Sequence, residues 1–175
     1  MNIMQWAQLV MFVMLIVVTI SLAQVYQRSI KRELYNTNRG FSKGEEFPLL
    51  SLPSMSGEMI SLVRPSTEGT IVTFTSTNCA YCASLYPTLT PFQEKQPQLK
   101  VVSLMVGDME SITEKVNEFK IKTPISLIEE DDLSSFNVNV LPFAYFLNKE
   151  GIVVAKGSVN SEDDLKLLLQ MSRSA

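Results

Sequence analysis

The sequence predicts an α/β domain with a mixed central sheet and helices on both faces, preceded by one N-terminal transmembrane helix. Three observations lead to this prediction. Residues 1–27 carry no charged side chain. From residue 44 onward, short apolar strand-like runs alternate with helical patterns. A pair of strands joined by a short turn lies at each end of this alternation. These pairs add antiparallel strands to a β-α-β-α core, which makes the sheet mixed.

Residues 1–25 are predicted to form the membrane anchor. No polar side chain interrupts the run from Leu9 to Val18, and residues 6–25 match the roughly 20 residues that span a bilayer. The alternative is a cleaved signal peptide, because residues 21–23 have the small-x-small pattern of a processing site. The first five residues lack the Lys or Arg of a signal peptide, so we favour a retained anchor.

Residues 26–43 are predicted to form a basic juxtamembrane helix or linker. Apolar residues recur every four positions, which is typical of a helix lying along anionic lipid headgroups. The positive side chains, read alone, would place the following domain in the cytoplasm. Residues 45–175 hold 10 basic and 17 acidic side chains, so we expect no nucleic-acid partner. The basic residues of the stretch are Arg28, Lys31, Arg32, Arg39 and Lys43.

The domain itself, residues 44–175, is predicted to begin with a hairpin, a buried strand and a kinked helix. Ser56-Gly57 is a turn signal between two apolar runs. A β-branched run then indicates a buried strand. Pro87 lacks a backbone donor and should kink the helix that follows. These elements cover residues 47–50, 59–63, 71–75 and 80–94.

The second half of the domain continues the alternation and ends with a hairpin and a helix. Asp131 or Asp132 is predicted to cap a brief helical turn that ends at residue 136. Ser161, with Asp164 three residues on, is predicted to cap the closing helix. In order, we predict a strand at 100–106, a helix at 109–119, an extended piece at 124–128, strands at 144–147 and 152–156, and a helix at 161–171.

Cys79 and Cys82 are the only cysteines of the chain, and they lie three positions apart directly after the strand at 71–75. At the start of a helix such thiols share a face and can form a disulfide, and the helix N-terminus favours the thiolate of the first. This placement predicts a redox dithiol. The alternative is a pair of unrelated core cysteines.

Composition excludes several other kinds of site. A structural zinc ion needs four nitrogen or sulfur ligands, and the chain holds two cysteines and no histidine. Proteolysis by a Cys-His pair and hydrolysis by a serine triad both need histidine. We therefore expect no metal and no cofactor other than a redox-active disulfide between Cys79 and Cys82.

The chain resembles thioredoxin-fold proteins. Cys79-x-x-Cys82 follows the first central strand, Pro87 lies where such helices kink, and Leu141-Pro142 precedes the last hairpin, where the family carries a cis-proline. The resemblance implies that Leu141 and Pro142 face the dithiol and bind the substrate chain. Tyr81, between the cysteines, either contacts substrate or packs against the protein.

Within this fold, the chain is similar to membrane-tethered thiol-disulfide proteins of the ResA, TlpA and redoxin type, and most of all to the MauD family of methylamine utilisation. The resemblance implies assistance in maturing an amine dehydrogenase subunit outside the cytoplasm. The segments that carry it are Gly44-x-x-Phe47-Pro48, Thr75-Ser76-x-x-Cys79, Leu141-Pro142-Phe143-Ala144, Glu150-Gly151, Ala155-Lys156-Gly157 and Val159-Asn160-Ser161.

The sequence departs from the family beside the dithiol. Asn78 stands where tryptophan is common, and no acidic residue in 71–75 could accept the proton of Cys82. Glu45 or Glu46 could accept the proton of Cys82 only if the fold brings one of them close to it. The direction of electron flow therefore stays open.

We predict a membrane-anchored thiol-disulfide oxidoreductase in which Cys79 attacks and Cys82 resolves. Its expected partners are the thiols and disulfides of client proteins, a membrane redox partner and the lipid bilayer. The catalytic domain is expected on the extracytoplasmic face, where disulfides persist, with a cytoplasm-facing domain as the alternative. The alternative function is a non-enzymatic membrane adaptor or chaperone. Copper delivery is disfavoured, because related carriers add a histidine.

Overall fold

The computed structural model describes residues 3–35 and 40–173, and the chain divides into two compact units, residues 1–37 and 38–175. The first unit holds helix α1, Ile3–Tyr35. Helix therefore continues past residue 25, as the four-residue spacing predicts, although residues 36–39, including Arg39, lie outside the described residues. In the described part of the chain, no helix combines the length and apolar character that crossing a membrane requires. The predicted span is not confirmed.

The second unit contains seven strands, four α-helices and a 3-10 helix among its described residues. The strands are β1 (Ser51–Pro53), β2 (Met59–Ser61), β3 (Gly69–Ser76), β4 (Leu99–Val106), β5 (Ile125–Ile128), β6 (Phe143–Leu147) and β7 (Val153–Ser158). The α-helices are α2 (Tyr86–Lys95), α3 (Met109–Phe119), α4 (Asp132–Ser135) and α5 (Glu162–Arg173), and the 3-10 helix is Ala80–Ser84.

The central sheet has five strands in the order β5-β4-β3-β6-β7. Strands β3, β4 and β5 are parallel, whereas β6 and β7 are antiparallel to their neighbours. The prediction of a mixed sheet is confirmed, but only the β6–β7 hairpin adds strands to it, since β1 and β2 form a separate two-stranded sheet. Strand β3 lies in the middle, so the loop that follows it opens at the centre of one sheet edge.

Two apolar layers cover the two faces of this sheet. Val72 and Phe74 of β3 pack with the hairpin β1–β2, Phe47 and Phe136 in one cluster of buried side chains. On the other face, α2 and α5 bury apolar side chains and contact the sheet and each other. Leu133 of α4 packs against the first cluster, so helices lie on both faces.

The first strand of the hairpin differs from the prediction. It is Ser51–Pro53 rather than residues 47–50, and Leu52 pairs with Ile60. Both of these side chains are buried, whereas Leu49 and Leu50 are exposed. Alternating burial, rather than the apolar run, therefore determines which residues form the strand.

The kinked helix predicted at residues 80–94 is instead two helices. The 3-10 helix ends at Ser84, and α2 begins at Tyr86, which places Pro87 in the first turn of α2. A proline is tolerated there because the first backbone N–H groups of a helix have no partner within it. Pro87 therefore starts a helix rather than bending one.

Side-chain caps fix the starts of α3 and α5. Asp108 accepts a hydrogen bond from the Ser111 N–H, 2.8 Å away. The Ser161 hydroxyl donates to the Asp164 carboxylate at 2.9 Å and accepts from the Asp164 N–H at 3.3 Å, as predicted. At α4, the Asp131 side chain makes no capping bond.

Candidate active site

Cys79 and Cys82 form a disulfide at the carboxyl end of central strand β3, with their Cα atoms 5.3 Å apart. The dithiol pairing expected from the sequence is thus present in the structure. Cys79 precedes the 3-10 helix and Cys82 lies within it. The tight helical turn keeps both sulfur atoms on one side of the backbone.

Backbone hydrogen bonds hold the first cysteine in place. The Cys79 N–H donates to the Ser76 carbonyl oxygen at 3.1 Å. The Cys82 N–H lies 3.0 Å from the Cys79 carbonyl oxygen and 3.3 Å from Cys79 Sγ. A donor aimed at this sulfur stabilises negative charge on it once the disulfide is reduced.

Side chains from the helices brace the same loop. The Tyr86 hydroxyl of α2 donates to the Ser76 carbonyl oxygen at 2.9 Å. Burial raises the pKa of Tyr86 above its ordinary value, so this donor keeps its proton at neutral pH and into the alkaline range. The Ser84 hydroxyl lies 3.1 Å from the Asn160 carbonyl oxygen, which ties the 3-10 helix to the segment before α5.

The two cysteines differ in exposure. Cys82 is fully buried, whereas Cys79 is half-buried. A client sulfur can therefore reach Cys79 and not Cys82. Tyr81 is 76 % exposed, so its ring lies at the surface beside the dithiol rather than in the core. Its role in substrate binding stays a prediction.

The loop before β6 meets the dithiol. The Leu141–Pro142 peptide bond is cis, as the resemblance implies. Leu141 and Cys79 line one cavity of about 280 Å³, and the buried Pro142 follows directly. The structure thus brings Leu141 to Cys79. Contact between Leu141 and a substrate chain stays a prediction.

The carboxylate near the dithiol is Glu130, which sequence reasoning missed. Glu130 lines the same cavity as Cys79. Glu45 and Glu46 lie at the other end of the sheet. Glu46 forms a β-bridge with Ile152, and Ile152 adjoins residues that pair, through β6, with the start of β3. No local pattern could identify Glu130, since only the packing of the β5–α4 loop brings it to this cavity.

Metal binding has no support from the arrangement of side chains. Within residues 3–35 and 40–173, no group of three or more His, Cys, Asp or Glu side chains is placed to hold a metal ion. The chemistry that the site itself offers is that of the two sulfur atoms.

Comparison with known proteins agrees with this geometry. Residues 57–172 match the family model of the thioredoxin-like domain. The methylamine utilization protein MauD of Methylorubrum extorquens is 24 % identical over 152 residues, which cover 86 % of this chain and 74 % of that protein. The thioredoxin-like protein YneN of Bacillus subtilis is 26 % identical over 134 residues, covering 74 % of this chain and 76 % of that protein.

Solved structures share the fold. The putative thiol:disulfide interchange protein DsbE from Chlorobium tepidum superposes with a TM-score of 0.66 at 16 % identity, covering 77 % of this chain and 97 % of that chain. The match to the family model extends from the hairpin turn to the last helix and includes the dithiol and the cis-proline loop. The chain belongs to the thioredoxin-like family.

Proposed function

We propose that this thioredoxin-like thiol-disulfide oxidoreductase exchanges disulfides with the cysteines of client proteins through Cys79 and Cys82. The observation that carries the proposal is the disulfide between a half-buried Cys79 and a fully buried Cys82 at the end of the central strand. Cys79 Sγ is accessible to a client, whereas the buried Cys82 Sγ reacts only in the second step of the exchange.

The exchange follows from that difference in access. In the reduced protein, the Cys79 thiolate attacks a client disulfide, so that a mixed disulfide forms and one client sulfur leaves as a thiolate that takes up a proton. The Cys82 thiolate then attacks Cys79 Sγ. The Cys79–Cys82 disulfide forms, the client gains two electrons, and its second sulfur leaves.

The reverse sequence of steps oxidises a client dithiol. Either direction needs a second redox partner that restores the starting state of the dithiol, and we assign that role to a membrane protein. In both directions Leu141 and Pro142 would hold the client chain beside Cys79, and the exposed Tyr81 would also contact it. The cavity shared by Leu141 and Cys79 supports this assignment.

The client is proposed to lie outside the cytoplasm. Relatives of this chain are methylamine utilization proteins, and a MauD-like role would be to assist maturation of an amine dehydrogenase subunit. Disulfides persist in that compartment. A catalytic domain on the extracytoplasmic face meets such clients directly.

Helix α1 is proposed to hold the protein at the membrane. Its side chains from Val10 to Val25 include many large apolar ones that are about half or more exposed in the structure, and residues 1–27 carry no charge. Exposed apolar surface of this kind needs lipid or protein to cover it. Carbonate extraction tests the proposal, since an anchored chain stays in the membrane pellet.

Compartment is tested separately with a membrane-impermeant thiol reagent on cells whose dithiol has been reduced. Labelling of Cys79 in intact cells, with any outer membrane opened, supports the extracytoplasmic face. Labelling that needs lysis of the inner membrane would place the domain in the cytoplasm.

Activity is tested by incubating the reduced full-length protein, in neutral detergent, with a protein disulfide and then alkylating free thiols. We expect mass spectrometry to show two alkylated cysteines before the reaction and none after it, with a matching gain of two thiols in the client. A Cys79→Ser variant should transfer no electrons. If the wild-type protein also transfers none but still binds client, the function is that of an adaptor.

A further inference from the structure

Three cationic side chains converge at the amino ends of β4 and β5, on the opposite side of the domain from the dithiol. Arg64, Lys100 and Lys122 line both of two neighbouring cavities, which have volumes of about 420 and 340 Å³. Thr123 and Pro124 complete the set of residues that the two cavities share. The cavities therefore meet at a junction defined by these five residues.

Charge at this junction is poorly compensated. Each cavity adds one carboxylate, Glu58 in the larger and Glu94 in the smaller, but the shared residues include none. Lys122 reaches Glu94 only at 3.7 Å. No ion pair among the described residues includes Arg64 or Lys100. Of the three positive groups at the junction, only Lys122 therefore has an ion-pair partner among the described residues.

Lys100 is the unusual member, because a lysine is seldom buried without an acidic partner. It is 9 % exposed, and its Nζ donates to the Ser61 carbonyl oxygen at 2.6 Å. Burial lowers the pKa of Lys100, and the positive charge of Arg64 lowers it further. The attraction of an anion at the junction would offset both effects, because a nearby opposite charge favours the charged form of the lysine.

A second observation at the junction is an unused hydroxyl. Thr123 is 5 % exposed, and its Oγ1 is buried without a hydrogen-bond partner among the described residues. Buried hydroxyls are nearly always paired. Thr123 lines both cavities, so this unused donor belongs to a residue that borders the junction.

We infer that the junction of Arg64, Lys100, Lys122 and Thr123 binds a phosphate group, from either a free phosphorylated small molecule or a phospholipid headgroup. A guanidinium offers paired donors that match phosphate oxygens, and the ammonium groups add charge. Apolar side chains such as Met55, Met59 and Val116 line the larger cavity. They would accommodate the uncharged part of the ligand.

The site is tested on the full chain in neutral maltoside micelles by recording backbone amide NMR shifts. The probes are sodium phosphate and dihexanoyl phosphatidic acid, with dihexanoyl phosphatidylcholine as the control for apolar binding. Saturable shifts at Arg64 and Thr123 with sodium phosphate indicate a free phosphate ligand. Shifts only with phosphatidic acid indicate a lipid headgroup. No saturable shift with either, or equal shifts with phosphatidylcholine, would overturn the inference.

Variants test whether the positive side chains of the junction are responsible for phosphate binding. Arg64→Gln should weaken the affinity for the effective probe by about tenfold or more, because a charge-assisted hydrogen bond is lost. Arg173→Gln removes a guanidinium that lies outside both cavities and should leave the affinity unchanged. Arg64 is exposed, so its variant is expected to fold. Equal weakening by the two variants would show non-specific charge attraction and contradict the site.

Discussion

The backbone N–H of the buried Cys82 points at Sγ of the half-buried Cys79, 3.3 Å away. One short turn therefore supplies both a donor to the more exposed sulfur and the second sulfur of the dithiol, and the proposed exchange uses the first to attack a client and the second to resolve the intermediate. The Tyr86 hydroxyl and the Ser76 carbonyl oxygen hold that turn against α2. The difference in exposure between the two cysteines leads to the first prediction.

Cys82→Ser should accumulate mixed disulfides between Cys79 and client proteins, because the exposed sulfur still attacks but no thiol resolves the product. Cys79→Ser should accumulate none, since Cys82 is fully buried. The measurement is non-reducing electrophoresis of alkylated membrane extracts, followed by mass spectrometry of the trapped partners. Equal trapping by both variants would contradict the assignment of Cys79 as the attacking residue.

Leu141→Ala should slow exchange with a protein disulfide by about tenfold, because it removes apolar contact area beside Cys79. Reaction with dithiothreitol should be unchanged, since that small reagent does not need the cavity. Stopped-flow measurement of both reactions checks this prediction. Leu49→Ala, which truncates an exposed leucine of the segment before β1, is the matched control. Equal slowing of both reactions would show that Leu141 acts on the dithiol and not on the client.

Tyr145→Phe should lower the free energy of unfolding by about 1–3 kcal/mol. The Tyr145 hydroxyl donates to the Phe136 carbonyl oxygen at 2.8 Å and accepts from the Phe41 N–H at 2.9 Å. Its loss leaves both backbone groups without that partner in a cluster of aromatic rings. Urea denaturation gives the difference. Tyr81→Phe, at an exposed ring, is the control and should change stability by less than about 0.5 kcal/mol.

Alkaline pH should destabilise the protein partly through Tyr145. Burial raises the pKa of Tyr145 to about 12, whereas an unfolded tyrosine has a pKa of about 10. The unfolded state therefore loses its proton first, and stability that is fully present below pH 10 falls as the pH rises toward 12. Denaturation midpoints across this range should fall more steeply for wild type than for Tyr145→Phe. Parallel curves would contradict the raised pKa.

Local patterns accounted for most of the elements. Helix α3 has the predicted bounds, 109–119, because the apolar spacing that predicts it is a local signal. The strand at 47–50 was wrong because an apolar run does not reveal which of its residues become buried. The kink predicted at Pro87 was wrong, because whether a proline bends a helix or begins one depends on where the preceding turn ends.

The amino-acid sequence by itself was enough to predict the dithiol, the proline loop at Leu141 and the alternation of elements that builds a mixed sheet. Each of these depends on residues close together in the chain. Only the tertiary structure decided that Glu130, and not Glu45 or Glu46, lies near Cys79. It also decided that Arg64, Lys100 and Lys122 meet at one junction. Those arrangements depend on strand register and loop packing between distant segments, and such long-range pairings leave no periodic signal in the sequence.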